Sequence, residues 1–101
     1  MDLELSGKVV LVTGGAKGIG AAIVRALAAE GAVPVVVDRD EPATRDITRE
    51  LTAAGHRIET VVADLTDRAG CRRAVERAIG AGGRLDAVVN NAGVNDRVGL
   101  E

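Results

Sequence analysis

Val9-Val10-Leu11-Val12-Thr13-Gly14-Gly15-Ala16-Lys17-Gly18-Ile19-Gly20 decides how this chain is read. A short apolar run leads directly into a glycine-rich turn, and the residues beyond the turn have helical spacing. A strand that feeds a helix in this way is suited to holding a diphosphate. Amides at a helix start point outward without intrahelical partners, and the helix dipole adds partial positive charge there. Glycine removes the Cβ that would keep a phosphate away from the main chain. The glycines stand at 14, 18 and 20, as T-G-x-x-x-G-x-G. This is neither the strict G-x-G-x-x-G pattern nor a P-loop, because Ala21-Ala22 follows Gly20 where a P-loop needs Lys and Ser or Thr. Taken alone, the segment is also compatible with a tight turn and nothing more. A valine in place of Gly18 is expected to crowd the turn and block a bound diphosphate.

Outward from this turn the chain alternates short β-branched runs with longer helical segments. The first strand is expected over Lys8 to Val12. Ile19, Ala22, Ile23, Ala26 and Leu27 recur at steps of three and four and predict one buried helix face. Gly31 stops that helix. Val33 to Val37 reads as the second strand, with Pro34 tolerable only near its start. Glu41-Pro42 opens a second helix, whose stripe is Ala43, Ile47, Leu51 and Ala54, and Gly55 ends it. Arg57 to Ala63 is the third strand. Thr66 is the expected N-cap of a third helix, with Asp67 in its first turn. That helix is lined by Cys71, Ala74, Val75, Ala78 and Ile79 and closes at Gly80 to Gly83. Leu85 to Asn90 is the fourth strand. The order β-α-β-α-β-α-β predicts right-handed parallel crossovers and an α/β sheet covered on both faces.

Parallel strands bring their carboxyl ends to one edge, where such sheets bind ligands. Asp38 ends the second strand, where a carboxylate can accept both hydroxyls of an adenosine ribose and repel a 2′-phosphate. It favours NAD. Arg39 and Lys17 add positive charge nearby and keep NADP as the alternative. Asp64 ends the third strand, placed either to meet an adenine amino group or to cap the next helix. Asn90-Asn91-Ala92-Gly93 ends the fourth. Asparagine both donates and accepts, so it can tie neighbouring strand ends together. Ala92 and Gly93 are small enough to leave room for a ribose or nicotinamide.

Composition narrows the field. The 101 residues allow one domain, and at 47% apolar they supply a modest core. Phe, Tyr and Trp are absent, so the core is aliphatic and no phenol is available as an acid or base. Thirteen basic and 15 acidic residues are mixed along the chain, for a net charge of −2. That argues against a nucleic-acid or anionic-membrane surface. One cysteine fits a reducing compartment, and neither a signal segment nor an apolar run of about 20 residues is present. The expected location is the cytoplasm. No spacing of His, Cys, Asp or Glu suggests a metal site. His56 follows Gly55 in a turn and reads as solvated, and Cys71 reads as packing.

Together, T-G-G-A-K-G-I-G at 13–20, Asp38, Asp64-Leu65 and N-N-A-G at 90–93 resemble the short-chain dehydrogenase/reductase family. The resemblance runs from about Lys8 to Gly93 in the expected order. It implies a partial three-layer Rossmann-type parallel sheet of strand order 3-2-1-4 that binds NAD or NADP. Gly14, Lys17, Gly18, Ile19 and Gly20 are then cofactor-binding at the pyrophosphate turn, with Asp38 and Arg39 at the ribose and Asp64 and Leu65 near adenine. Asn91, Ala92 and Gly93 lie close to the cofactor, and Asn90 stabilises the sheet. Val94-Asn95-Asp96 resembles a sugar-oxidising branch that includes fucose dehydrogenases.

The family's catalytic serine and Tyr-x-x-x-Lys pair have no match here, so no catalytic residue is assigned. The resemblance implies the amino-terminal part, residues 1–101, of one NAD(P)-binding domain, inactive alone. Its parent would be a homo-oligomer that moves hydride between the coenzyme and an alcohol or carbonyl substrate, a sugar among the candidates. The alternatives are a stand-alone nucleotide-binding module without catalysis and an S-adenosylmethionine-dependent methyltransferase. The first leaves an apolar fourth strand as a bare pairing edge. The second is disfavoured by the glycine spacing and by N-N-A-G.

Overall fold

The structure is a computed structural model that describes residues 5–64 and 66–91. Its elements alternate as expected: β1 (Val9–Thr13), α1 (Gly18–Ala29), β2 (Val33–Asp38), α2 (Glu41–Ala53), β3 (Glu59–Val62), α3 (Arg68–Gly82) and β4 (Ala87–Asn90). All strand pairings are parallel, and the sheet order is β3-β2-β1-β4. Crossovers through α1 and α2 lead outward to β3 on one side. The crossover through α3 returns the chain past β1 to β4. The strands are offset by a residue or two from the sequence-based bounds, so β1 includes Thr13 and β4 begins at Ala87.

Valines fill both faces of the sheet. Val10, Val12 and Val36 pack with Ala21, Val24 and Ala28 of α1 and with Ile47 and Leu51 of α2. Val9, Leu11, Val35 and Val37 form the opposite layer with Val61 and with Ala74 and Ala78 of α3. Full burial of one such aliphatic side chain contributes about 1.5–3 kcal/mol. That is why β1 and β2 carry unbroken apolar runs rather than an alternating pattern.

Pro34 sits in an interior strand, opposite Val10. The Val33 amide donates to the Lys8 carbonyl, and the Val37 carbonyl accepts from Gly14. Odd-numbered residues of β2 therefore bond toward β1, and the nitrogen of Pro34 faces β3. Pairing with β3 begins only at Val35, opposite Glu59, so the proline removes no ladder bond.

The helix faces differ in part from expectation. In α1, Gly20, Ala21, Val24 and Ala28 are buried and Ile23 and Leu27 pack half-buried against the core as expected, whereas Ala22 and Ala26 are exposed and Ile19 is 68% exposed. In α2, Thr44 joins Ile47 and Leu51 in the core, and Ala54 is exposed at the C-cap. In α3, Ala74 and Ala78 are buried, Val75 and Ile79 are largely exposed, and Cys71 is exposed rather than packed. α3 rests on the sheet through Ala74 and Ala78, which turns Val75 and Ile79 outward, whereas α1 packs Val24 on the sheet together with Ala21 and Ala28. No helix among the described residues is long and apolar enough to cross a membrane.

Candidate functional site

Four parallel strands end on one rim at Thr13, Asp38, Val62 and Asn90. The glycine turn occupies the middle of that rim. Gly14 leaves β1 with a φ of 65°, and its amide donates to the Val37 carbonyl at 2.7 Å. This left-handed conformation favours glycine. Gly15 is buried beneath, where an added Cβ would lie 3.1 Å from Val24 Cγ2 and 3.2 Å from the Val12 carbonyl oxygen. Gly18 opens α1 with a φ of 57°, and a Cβ there would meet nothing within 4 Å. The protein itself leaves that position open. Glycine is favoured at 18 by its left-handed dihedral angle.

Gly20 is the tightest point. A Cβ there would overlap the Gly14 carbonyl oxygen and lie 2.8 Å from Asn91 Nδ2. The first turn of α1 is therefore pressed against the glycine turn. Asn91 closes the contact by donating from Nδ2 to the Gly14 oxygen at 3.2 Å. Next to it, the Thr13 hydroxyl donates to Asn90 Oδ1 at 3.1 Å. The two asparagines thus tie β4 to the end of β1 and to the turn.

The start of α1 is open. Lys17 stands at the N-cap in extended conformation, with no side-chain capping bond and no acidic residue in the first turn. The first amide with an intrahelical partner is that of Ala21, which donates to the Lys17 carbonyl at 3.2 Å. The amides of Gly18, Ile19 and Gly20 precede it and face the rim. Ile19 stands exposed beside them.

Asp38 reaches across to the turn. Its Oδ2 accepts the Ala16 amide at 3.1 Å, and its Oδ1 accepts the Asp40 amide at 2.9 Å. A carboxylate offers about four lone-pair directions, so each oxygen keeps acceptor capacity. Asp40 escaped the sequence reading, although an aspartate before Glu41-Pro42 is a recognisable N-cap. Its Oδ1 accepts the Ala43 amide at 2.9 Å, and its Oδ2 pairs with Lys17 Nζ at 2.8 Å. The bond to Lys17, and next the Ala43 amide, hold the Asp40 carboxyl below the ordinary aspartate value. The same bond raises the Lys17 ammonium above the ordinary lysine value.

Asp64 is engaged locally. Its Oδ1 accepts the Thr66 amide at 2.9 Å and the Thr66 hydroxyl at 2.8 Å. These two bonds, the amide first, lower its carboxyl from the ordinary value. The expected cap at Thr66 is therefore corrected: Asp67 caps α3, accepting the Ala69 amide at 3.0 Å. Gly70 lets α3 approach, since a Cβ there would lie 2.8 Å from the Asp64 carbonyl oxygen. Arg39 Nη1 stands 4.0 Å from Asp64 Oδ2 and is largely exposed. Leu65, Ala92, Gly93 and the segment Val94-Asn95-Asp96 lie outside the described residues. Among the described residues no cluster of His, Cys, Asp and Glu is arranged to hold a metal ion.

The sequence profile of the short chain dehydrogenase family matches residues 8–101. An uncharacterized oxidoreductase of Methylorubrum extorquens is 44% identical over 99 residues, covering 97% of this chain and 40% of the relative. The L-fucose dehydrogenase of Bos taurus is 44% identical over 93 residues, covering 92% of this chain and 33% of that enzyme. The solved structure of L-sorbose reductase from Gluconobacter frateurii, complexed with NADPH and L-sorbose, matches with a TM-score of 0.85 at 37% identity. That match covers 90% of this chain and 35% of the reductase. The chain spans 40% or less of the length of these relatives.

Proposed function

We infer the function from one premise: the chain belongs to the short-chain dehydrogenase family. From it we propose that the rim holds the adenosine and diphosphate portion of a nicotinamide dinucleotide. The whole protein would be an oxidoreductase working between an alcohol and a carbonyl compound, in the cytoplasm. The bound nicotinamide supplies the hydride chemistry. The residues described here bind and orient. Gly20 and Gly14 form a cradle that a Cβ would fill. The uncapped amides of Gly18, Ile19 and Gly20 suit a diphosphate. Ile19, exposed beside them, can cover the ligand's apolar side.

The observation that carries the reading is Asp38. It is fixed between the Ala16 and Asp40 amides at the end of β2, in the position suited to accept ribose hydroxyls. An ionised carboxylate there opposes a 2′-phosphate, so NAD is the preferred coenzyme. A sugar is the proposed substrate class, on the likeness to an L-fucose dehydrogenase and an L-sorbose reductase. Without any tyrosine, the 101 residues have no match to the family's catalytic phenol, and the chain alone is proposed to bind coenzyme without turnover.

Calorimetric titration with NAD, NADP and S-adenosylmethionine tests this. NAD is expected to bind most tightly. Asp38→Ala is expected to weaken NAD about tenfold or more, as for a lost hydrogen bond to a charged group, with a much smaller effect on NADP. A preference for S-adenosylmethionine, or an unchanged coenzyme preference in Asp38→Ala, refutes the reading.

A further inference from the structure

We propose that Asp40 is a positioning residue that sets coenzyme choice by pairing with the Lys17 ammonium and neutralising it at the ribose edge of the site. The proposal rests on the coenzyme reading above. Its basis is how firmly Asp40 is held. Its amide donates to Asp38 Oδ1 at 2.9 Å. Its carbonyl accepts the Thr44 amide at 3.0 Å and the Thr44 hydroxyl at 2.8 Å. One carboxylate oxygen caps α2 through Ala43, which leaves the other aimed at Lys17 Nζ, 2.8 Å away. The Asp40 side chain is 31% exposed against 64% for Lys17. The anion is the fixed member of the pair, and the long cationic chain is the one that comes to it.

Lys17 sits one residue beyond Ala16, whose amide rests on the ribose-facing Asp38. An ammonium released at that point would stand beside the rim and attract a 2′-phosphate. Bound to Asp40, it is neutralised before any coenzyme arrives. Arg39, a second cation here, makes the longer contact to Asp64. An exposed ion pair of this kind contributes little to stability. Its consequence is that the charge is compensated at the rim.

Asparagine caps helices as well as aspartate does. Asp40→Asn therefore removes the ion pair and keeps the α2 cap. The ratio of NADP to NAD dissociation constants, measured by calorimetry, is expected to fall about fivefold in Asp40→Asn, as for one screened surface charge. Asp40→Ala should shift the ratio equally but also lower the unfolding midpoint. Adding Lys17→Met to Asp40→Asn should restore the original ratio, and 1 M salt should shrink the effect. Asp46→Asn removes the same charge from an exposed position on α2 and should leave the ratio alone. An unchanged ratio in Asp40→Asn overturns the proposal, as does a shift that survives Lys17→Met or appears equally in Asp46→Asn. In each of these outcomes NAD still binds, so the coenzyme reading stands. Absence of dinucleotide binding to the unaltered chain overturns the coenzyme reading, and this proposal with it.

Discussion

The three helices start differently. At α2 and α3 an aspartate stands at the N-cap and accepts an amide of the first turn: Asp40 from Ala43, Asp67 from Ala69. At α1 the N-cap is a lysine, no side chain caps, and the amides of Gly18, Ile19 and Gly20 come before the first intrahelical bond. All three starts lie on the same rim of the sheet, so exposure does not explain the contrast. Side-chain caps are worth about 1 kcal/mol each and are present where the helix only has to begin. The start without one is the start pressed against a glycine turn. Its amides are kept for a ligand, and the fold compensates by wedging Gly20 under Gly14 and tying Gly14 to Asn91.

The wedge is the place to break this contrast. Gly20→Ala puts a methyl group into the Gly14 carbonyl oxygen and close to Asn91 Nδ2, neither of which moves without opening the rim. Overpacking against backbone is expected to cost about 3 kcal/mol or more. Gly18→Ala meets no atom within 4 Å and suffers only its left-handed φ of 57°, a cost of about 1–2 kcal/mol. Urea unfolding followed by far-ultraviolet circular dichroism measures both, since a chain without aromatic residues gives no useful fluorescence. If Gly18→Ala proves the more damaging, close approach is not what Gly20 provides.

Caps can be exchanged to sharpen the comparison. Asp67→Ala should lower stability by about 1 kcal/mol. Lys17→Ser gives α1 the kind of cap the other helices have, on a residue already extended, and should raise stability by about 0.5–1 kcal/mol. The new hydroxyl competes for the same amides, so dinucleotide affinity should drop about fivefold by the same free energy. Stability and affinity moving in opposite directions in this one variant is the result that matters. Both rising together would show that the open start serves no ligand.

Sequence periodicity exposed the element order and the parallel sheet because valine runs, glycine stops and crossover lengths are local features. It shifted the helix faces because it counts large apolar residues, and much of the contact surface of α1 and α3 is made of small ones beside Val24. Gly20, Ala21 and Ala28, and likewise Gly70, Ala74 and Ala78, give little hydrophobic signal yet set how closely a helix can lie on the sheet. At the rim, the residue types were legible and their partners were not. Asp38 reads as a ribose acceptor from its position, but its bond to the Ala16 amide depends on how β2 stands beside β1. Lys17 and Asp40 lie too far apart in sequence for any local pattern to pair them. Asp64 had two readings of equal standing from sequence; its carboxylate bonds Thr66, and the α3 cap falls to Asp67.

The smallest effect concerns the opposite end of the same strands. At the rim, β1 and β4 are joined by neutral groups, Thr13 to Asn90 and Asn91 to Gly14. At the floor they are joined by a charge. Asp86 Oδ2 accepts the Val9 amide at 2.8 Å and Arg84 Nε at 2.9 Å, and the Asp86 amide returns a bond to the Val9 carbonyl at 2.9 Å. The Val9 amide first, and Arg84 after it, hold the Asp86 carboxyl below the ordinary aspartate value. A carboxyl lowered by folding contributes stability that is fully present above its unfolded value of about 4 and is lost as pH falls through the folded value. Asp86→Asn should therefore be less stable than the unaltered chain at pH 7, and the gap in urea midpoint should close progressively below about pH 4. The rim bonds, being neutral, should show no such dependence: the deficit of Thr13→Val, which removes the hydroxyl, should stay constant over the same range. A gap for Asp86→Asn that persists undiminished at pH 2.5 would mean that the carboxylate's charge does not hold the floor, and that both ends of the β1–β4 pair are joined by shape and neutral hydrogen bonds alone.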